Sequence, residues 1–231
     1  MKGTQKAALF ALFFLALSCA LYTLTQRSVS TAAFPRHSQE TLILDAGHGG
    51  EDGGAVSASG QPESGINLSI VLKLDQLAGL YGVHTTLTRT TDTSIADENA
   101  RTLREKKRSD LYNRTALVNE TPGAVLLSVH QNNHSQRSAR GAQVFYHDDP
   151  SSRCWAEYTQ TLLTRTLDQP SNRQAAKIPQ RVYLMNHIRC RAILVECGFL
   201  SNPEEDQLLQ SDRYQSILAA ILLSGYLTAC T

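Results

Sequence analysis

Two histidines and a glutamate occupy positions from which they could form a metal centre. His48 follows the short apolar run TLILD, His130 follows an apolar run that ends at Val129, and Glu63 precedes a helical pattern. A catalytic zinc site takes three protein donors of the histidine or carboxylate type and keeps one position open. Spacing alone does not single out these three, because the chain has 7 histidines and 21 acidic residues. The hypothesis is a zinc site formed by His48, Glu63 and His130.

The segment around His48 favours this hypothesis over other ligand-binding loops. It reads DAGHGGEDGGA and contains five glycines between positions 45 and 55. Glycine allows positive φ angles and a close approach of the backbone to a metal or substrate. The segment lacks the Lys-Ser/Thr ending of a P-loop and the GxGxxG order of a dinucleotide fold. A phosphate-binding loop is therefore disfavoured.

Glu196 is the candidate catalytic carboxylate. It ends the apolar run RAILVE, where a charge is costly unless it is paired or functional. Two interpretations are open: a general base and acid that moves a proton from water to a leaving amine, or an ion-pair partner of Arg189 or Arg191. Cys197 follows on the opposite face of the predicted strand, which indicates core packing rather than a nucleophile.

The remaining histidines lack a partner motif. His134 stands four residues after His130, the spacing of a helical metal pair, but its surroundings QNNHSQRS are typical of a loop, so it ranks below His130. His84, His147 and His187 are assigned to structural or surface roles.

The elements that must position these residues alternate between strands and helices, which indicates an α/β protein. The predicted fold is a single domain with a central mixed, mostly parallel twisted sheet flanked by helices. Open α/β sheets form their sites at the carboxyl ends of strands, where His48, His130 and Glu196 are expected. The predicted strands cover 41–45, 83–87, 124–129, 143–146 and 192–195, and the predicted helices cover 66–80, 97–119, 152–167 and 214–227.

The N-terminus has the pattern of a membrane anchor. Residues 7–26 are uncharged and mostly apolar, and they follow Lys2 and Lys6. Twenty helical residues span about 30 Å, the thickness of the hydrocarbon core, and the lysines favour a cytoplasmic N-terminus. We therefore predict a transmembrane helix over 1–26, a polar linker over 27–40 and a catalytic domain over 41–231 outside the membrane. A cleaved signal peptide is the alternative.

Charge and cysteine usage exclude other classes. Residues 41–231 carry 18 basic and 20 acidic residues, a net charge of −2 that argues against nucleic acid as a partner. The cysteines form no CxxC pair, so a thiolate zinc site is not indicated. A single disulfide among the last four is open, and buried free thiols are the simpler interpretation. The five cysteines are Cys19, Cys154, Cys190, Cys197 and Cys230.

Beyond these patterns, the chain resembles the zinc-dependent N-acetylmuramoyl-L-alanine amidases of the amidase-3 type. Seven blocks carry the resemblance in family order across 41–231: LILDAGHGGEDGGAV, PESGINLSIVLKL, LTRTTD, DLYNRTALVNE, LLSVHQNN, RGAQVFY and ILVECGFLSNPEEDQLL. The resemblance implies Zn²⁺ bound by His48, Glu63 and His130, with Glu196 as the catalytic residue. Two local departures, ESGIN and HQNN, remove none of these positions.

The short form, with an anchor and no cell-wall-binding repeats, is most similar to the CwlD-type amidases of spore formers. This similarity implies hydrolysis of the amide between N-acetylmuramic acid and L-alanine, in the formation of the muramic-δ-lactam of the spore cortex. It implies an extracytoplasmic domain, membrane-anchored or secreted, for example between the forespore membranes. Peptidoglycan is the expected partner, and an activating partner protein is compatible with this subfamily.

Two other functions stay open at this stage. A zinc peptidase or carboxypeptidase acting on another peptidoglycan amide would use the same kinds of donors. A non-catalytic peptidoglycan-binding scaffold could retain the fold without turnover. The products formed from peptidoglycan distinguish these alternatives from an amidase.

Overall fold

A computed structural model describes residues 40–167 and 171–228 of the chain. The predicted transmembrane helix over 1–26, and the predicted linker apart from Glu40, lie outside these residues. Within the described ranges, no helix combines the length and apolar character needed to cross a bilayer. All described residues belong to one unit of the chain, His37–Thr231.

Strands and helices alternate along the described residues, as the sequence predicts. In chain order the elements are β1 (Thr41–Ala46), α1 (Glu63–Leu80), β2 (Thr85–Leu87), α2 (Leu103–Glu120), β3 (Ala124–Asn132), β4 (Gln143–Tyr146), α3 (Pro150–Thr166), β5 (Ala176–Lys177), α4 (Tyr183–His187), β6 (Ala192–Phe199), α5 (Pro203–Leu209) and α6 (Asp212–Thr228).

The six strands form one sheet in the order β2-β1-β3-β6-β4-β5. The first four strands of this order are mutually parallel. Strand β4 runs antiparallel to β6, and β5 runs parallel to β4. The prediction of a mixed, mostly parallel sheet with flanking helices is therefore confirmed. The carboxyl ends of β1, β3 and β6 share one edge of the sheet, which is where the site lies.

Side chains of the central strands enter two apolar clusters, one on each face of the sheet. Leu42 and Leu44 of β1 pack into the larger cluster with apolar residues of α1, α3 and α6. Ile43, between them, packs into a smaller cluster with Val118 of α2 and Met185 of α4. This alternation follows from the two-residue period of a strand. Because apolar clusters cover both faces of the sheet, the sequence of β1 is a nearly continuous apolar run.

Several predicted boundaries are wrong. The helix predicted over 97–119 begins at Leu103, because Thr102 and Glu105 form a capping box. Strand β6 continues through Glu196 to Phe199, so Glu196 lies within the strand instead of ending it. The short elements β5, α4 and α5 were not predicted, since two to seven residues are too few to show a period.

The cysteines do not share one state. Cys190 and Cys197 are free thiols, as the simpler interpretation of their scattered positions suggests. Cys154 is disulfide-bonded, so that interpretation is wrong for this residue.

Candidate metal centre

Parallel strand ends bring the predicted site residues together. His48 lies two residues beyond the end of β1, and His130 and Glu196 are Cα partners on the adjacent strands β3 and β6. Glu63 is the first residue of α1. Residues paired across neighbouring strands project to the same side of a sheet, so His130 and Glu196 share one face at this edge.

The carboxylate of Glu63 lies between the two imidazoles. Its Oε1 is 3.0 Å from Nδ1 of His130, and its Oε2 is 3.4 Å from Nε2 of His48. The two imidazole rings are 5.1 Å apart between centroids and inclined at 76°. One donor atom from each of the three residues lies within 4.8 Å of the others. The cluster predicted from the sequence is thus assembled.

Backbone and side-chain donors also surround the Glu63 carboxylate. The backbone N–H groups of Ala55 and Gln131 and the amide of Asn67 donate to its oxygens at 3.0–3.2 Å. Burial alone would raise the pKa of Glu63, but the hydrogen bond and charge of His130 outweigh it and lower the pKa to about 2. Glu63 is therefore an ionised carboxylate, held in a fixed orientation in which its oxygens could bind a metal ion.

These donors fit a divalent zinc ion. Two imidazoles and one carboxylate form a donor set of catalytic zinc sites, which leave a position open for water or substrate. Burial lowers the pKa of His130, but the hydrogen bond and charge of Glu63 outweigh that effect and raise it to about 9. A cation bound here would take the place of the imidazole proton as the partner of the buried carboxylate.

Two glycines of the loop leave room for the cluster. A Cβ atom on Gly47 would overlap the ring of His130. A Cβ atom on Gly54 would lie 2.6 Å from Oε2 of Glu63 and 2.7 Å from Cδ2 of His48. His48 itself has a φ of 63°, a region that residues with a Cβ seldom occupy. The glycine-rich sequence is therefore required by close packing against the donors.

A second carboxylate orients His48. Oδ2 of Asp52 lies 3.0 Å from Nδ1 of His48, and Nζ of Lys107 lies 2.8 Å from Oδ1 of Asp52. A carboxylate on the far nitrogen fixes the ring of a metal-binding histidine and increases its basicity. Asp52 and Lys107 are therefore positioning residues for His48.

Arg114, buried beneath the loop, holds the end of β1. Its guanidinium donates to the carbonyls of Ala46 and His48 at 2.8 and 2.7 Å and pairs with Asp45 and Asp110, each at 2.6 Å. Burial disfavours the cation, yet the charge of Asp45 outweighs that effect and raises the pKa of Arg114. Removing one partner of such a buried pair costs about 3–5 kcal/mol of stability.

Arg89 holds the same loop from another direction. It donates to the carbonyls of Ala46 and Gly47 at 2.9 and 3.1 Å and to the carbonyl of Ser64 in α1 at 2.8 Å. The loop that carries His48 is thereby tied to the helix that begins with Glu63. Arg89 and Arg114 therefore set the position of His48 relative to Glu63.

Glu196 has a buried oxygen that lacks a partner among the described residues. Its Oε2 is inaccessible to solvent and makes no hydrogen bond. Burial raises the pKa of Glu196 to about 7, and the charge of Glu63 adds to this effect, while His130 and Arg173 oppose it. A buried carboxylate oxygen without a partner is destabilising and calls for a ligand or a functional role.

The alternative roles for this region are not supported. Arg191 pairs with Glu40 at 3.1 Å, and within the described residues neither Arg189 nor Arg191 forms an ion pair with Glu196. Cys197 lies in the apolar core, and burial raises the pKa of its thiol far above the ordinary value. Cys197 therefore packs in the core, as predicted.

The other histidines lie outside the cluster. Nδ1 of His134 accepts from the backbone N–H of Gln136 within its own loop. His147 and His187 each contact a backbone carbonyl through Nδ1, and His84 is exposed. The prediction that ranks His130 above His134 is consistent with these positions.

Sequence reasoning did not identify the residues that support the donors. Asp52, Arg89, Lys107 and Arg114 act on segments up to 69 positions away, beyond the reach of any local period. Arg89 and Arg114 do lie inside the blocks LTRTTD and DLYNRTALVNE.

Comparison with known proteins identifies related sequences. The family described as N-acetylmuramoyl-L-alanine amidase matches residues 42–225. The chain is similar to the germination-specific N-acetylmuramoyl-L-alanine amidase of Bacillus subtilis (strain 168), with 33% identity over 191 residues. That match covers 82% of this chain and 79% of the relative.

Solved structures show the same architecture. The CwlD amidase from Clostridioides difficile, in complex with the GerS lipoprotein, is 36% identical with a TM-score of 0.77. The alignment covers 81% of this chain and 96% of that one. An N-acetylmuramoyl-L-alanine amidase from Clostridium difficile 630 is 27% identical with a TM-score of 0.71, over 82% of this chain and 96% of that one.

The close packing around Gly54 allows metal binding by His48, Glu63 and His130 to be tested. We expect Gly54→Ala to weaken zinc binding by about tenfold or more, because the added methyl displaces Glu63 and His48. Gly60→Ala is the matched control, since Gly60 also has a positive φ but has no atoms within 4 Å of the added Cβ. Zinc affinity is measured by competition with a chelator. Equal affinities for the two variants would show that the cluster does not bind the metal.

Proposed function

The chain belongs to the N-acetylmuramoyl-L-alanine amidase family, and from this membership we propose a zinc-dependent hydrolysis of peptidoglycan. The bond cleaved is the amide between N-acetylmuramic acid and the L-alanine of the stem peptide. The observation that carries the mechanism is the buried Oε2 of Glu196, which has no hydrogen-bond partner among the described residues and belongs to a residue in register with His130. A carboxylate of this kind beside a set of metal donors is suited to moving protons.

His48, Glu63 and His130 would hold the zinc ion. The chemistry that zinc supplies in such a site is polarisation of a carbonyl oxygen and a lower pKa for water. Asp52 keeps the ring of His48 oriented, and Arg89 and Arg114 keep its backbone in place. The chain thereby presents three donors in a fixed arrangement before substrate arrives, so little reorganisation is needed during the reaction.

Glu196 transfers the proton. As a carboxylate it accepts a proton from the attacking water, and as a carboxylic acid it donates that proton to the nitrogen of the departing L-alanine. A pKa near 7, raised by burial, suits a group that acts as both base and acid at neutral pH. The new carbon–oxygen bond forms first, and the carbon–nitrogen bond breaks once the nitrogen has received the proton from Glu196. The newly formed carboxylic acid then loses the second proton of the water to the amine, which leaves a lactyl carboxylate on the sugar and an ammonium group on the peptide.

For the biological role, we propose formation of the spore cortex. The support is the Bacillus subtilis relative, which is named germination-specific. Peptidoglycan lies outside the cytoplasmic membrane, so the domain acts there, and the apolar segment over 7–26 would anchor it. The related CwlD amidase was solved with a lipoprotein, which supports a protein partner for this chain as well.

The role of Glu196 can be tested separately from metal binding. We expect Glu196→Ala to lower kcat by about 10²–10⁴-fold, because general acid–base catalysis contributes that much, while the bound zinc is retained. Activity is measured as new L-alanine amino groups released from purified peptidoglycan, and zinc content by elemental analysis. Glu98→Ala, at an exposed position, is the control.

Chelation should abolish the activity, and added zinc should restore it. A Glu196→Ala variant as active as the wild type would remove Glu196 from the mechanism. Products with an intact muramoyl–alanine bond and a newly released C-terminal residue would indicate a peptidase. Stable binding to peptidoglycan without any product would indicate a scaffold.

The spore role makes a prediction in the organism. If the chain acts in the spore cortex, we expect deletion of its gene to remove muramic-δ-lactam from the cortex, because lactam formation requires a muramic acid freed of its peptide. Mass spectrometry of cortex muropeptides measures this. The wild-type chain should restore the lactam and Glu196→Ala should not. Unchanged lactam in the deletion strain would contradict the spore role.

A further inference from the structure

We infer that Arg173 binds a free carboxylate of the stem peptide next to the cleaved amide and thereby selects acidic over amidated substrates. The inference deepens the proposed function and rests on it. Arg173 lies outside the metal cluster, and none of the roles assigned above uses it.

The sheet places Arg173 beside Glu196. Arg173 precedes β5, which pairs with β4, and β4 is antiparallel to β6, so this segment reaches the same edge as the metal cluster. Gln143 of β4 is the Cα partner of Glu196, and side chains paired in this way have Cβ atoms about 4.5–5.5 Å apart. Nη1 of Arg173 donates to Oε1 of Gln143 at 2.6 Å. One side chain therefore separates Arg173 from the catalytic carboxylate.

The guanidinium of Arg173 is held in a fixed orientation. Its Nε donates to the carbonyl of Arg140 at 2.9 Å, and its Cζ lies 4.5 Å from the ring centroid of Phe199, three residues beyond Glu196 in β6. An arginine constrained at Nε, at Nη1 and over an aromatic ring loses little conformational entropy when it binds a ligand. Such preorganisation is typical of a recognition residue.

The charge of Arg173 has no ion-pair partner in the described ranges. Its guanidinium donates to the carbonyl of Arg140 and to the amide oxygen of Gln143, both uncharged, and Nη2 has no acceptor among the described residues. Its charge is nevertheless felt at Glu196 and Glu205. A fixed guanidinium with a free Nη2 is suited to an incoming carboxylate, the anion that arginine recognises best together with phosphate.

A polar cavity continues from this position. Arg173 lines a cavity of about 400 Å³ with Gln160, Thr164 and Gln174, between the end of α3 and β5. An extended peptide that leaves Glu196 across Gln143 passes Arg173 before it reaches this cavity. The stem peptide beyond the cleaved bond therefore has a path along the edge of the sheet.

The substrate has a carboxylate at a suitable separation. The second stem residue is D-glutamate joined through its γ-carboxyl group, so its α-carboxylate is free unless the cell amidates it. Two extended residues span about 7 Å, which matches a guanidinium one side chain away from Glu196. A carboxylate on the third residue is the other source of the same chemistry, and the experiment distinguishes the two.

The test compares glycan-peptide substrates that differ in one group. The first carries D-isoglutamate at the second position, the second carries D-isoglutamine there, and the third has its only amide on the carboxylate of the third residue. We expect the wild type to cleave the first substrate with a kcat/KM about tenfold above the second, the difference that one charge-assisted hydrogen bond supplies. The third substrate should resemble the first.

Substitution of Arg173 should remove this preference. Arg173→Gln is expected to lower kcat/KM on the isoglutamate substrate about tenfold and to leave the isoglutamine substrate within about twofold, because only the former offers a charged acceptor. Arg173→Lys should keep part of the preference. Arg153→Gln is the control, since Arg153 is exposed near the opposite end of α3 and pairs with Glu157. Binding is measured in parallel in a Glu196→Gln background, which does not turn over.

Each outcome decides the point. Equal cleavage of the first two substrates by the wild type, or an equal loss on both in Arg173→Gln, would overturn the inference and leave the amidase function intact. If the wild type cleaves the first two substrates equally and only the third with a lower kcat/KM, the recognised carboxylate belongs to the third residue instead of the second. If the wild type cleaves no substrate, the proposed function fails, while the Kd values in the Glu196→Gln background still report whether Arg173 distinguishes acid from amide.

Discussion

The architecture depends on one buried carboxylate, that of Glu63. It is 3% exposed, and an ionised group in that position costs several kcal/mol unless charge and hydrogen bonds compensate. Compensation comes from two imidazoles and from the N–H groups of Ala55, Asn67 and Gln131. These groups belong to the glycine-rich loop, to α1 and to β3, so the three segments must meet in a single arrangement. A cation between the donors would satisfy the same constraint, so the residues of the candidate metal centre also hold these three segments together.

Much of this arrangement is readable in the sequence. The continuous apolar run of β1 and the apolar run of β3 identify buried parallel strands, and in such sheets the chemistry lies at the carboxyl ends. That reasoning places His48 and His130 at one edge, and Glu63 at the start of the next helix, as the structure does. Glu196 was assigned to a strand end because a local pattern treats a charge as a boundary. The strand continues through it, since both of its neighbours in the chain are buried.

The supporting residues that were not predicted act through contacts between segments that are distant in the sequence. Arg114 pairs with Asp45 across 69 positions, and Arg173 contacts Gln143 across 30. Hydrophobic periodicity reports which face of an element is buried, and it carries no information about which buried polar groups meet. The start of the helix at Leu103 is a different case, because its capping box of Thr102 and Glu105 is a local signal that the sequence contains. The supporting residues become visible only when the sheet order is known.

The most direct test of the role of Glu63 is the zinc affinity of Glu63→Gln, measured by chelator competition on the folded protein. Glutamine keeps the size of the side chain and removes its negative charge, so both imidazoles lose their shared anion. We expect a loss of affinity at least as large as the roughly 10–100-fold that outer-shell changes produce, with the amidase activity lost in parallel. A folded Glu63→Gln variant that binds zinc within about twofold of the wild type would contradict the central place given to this carboxylate.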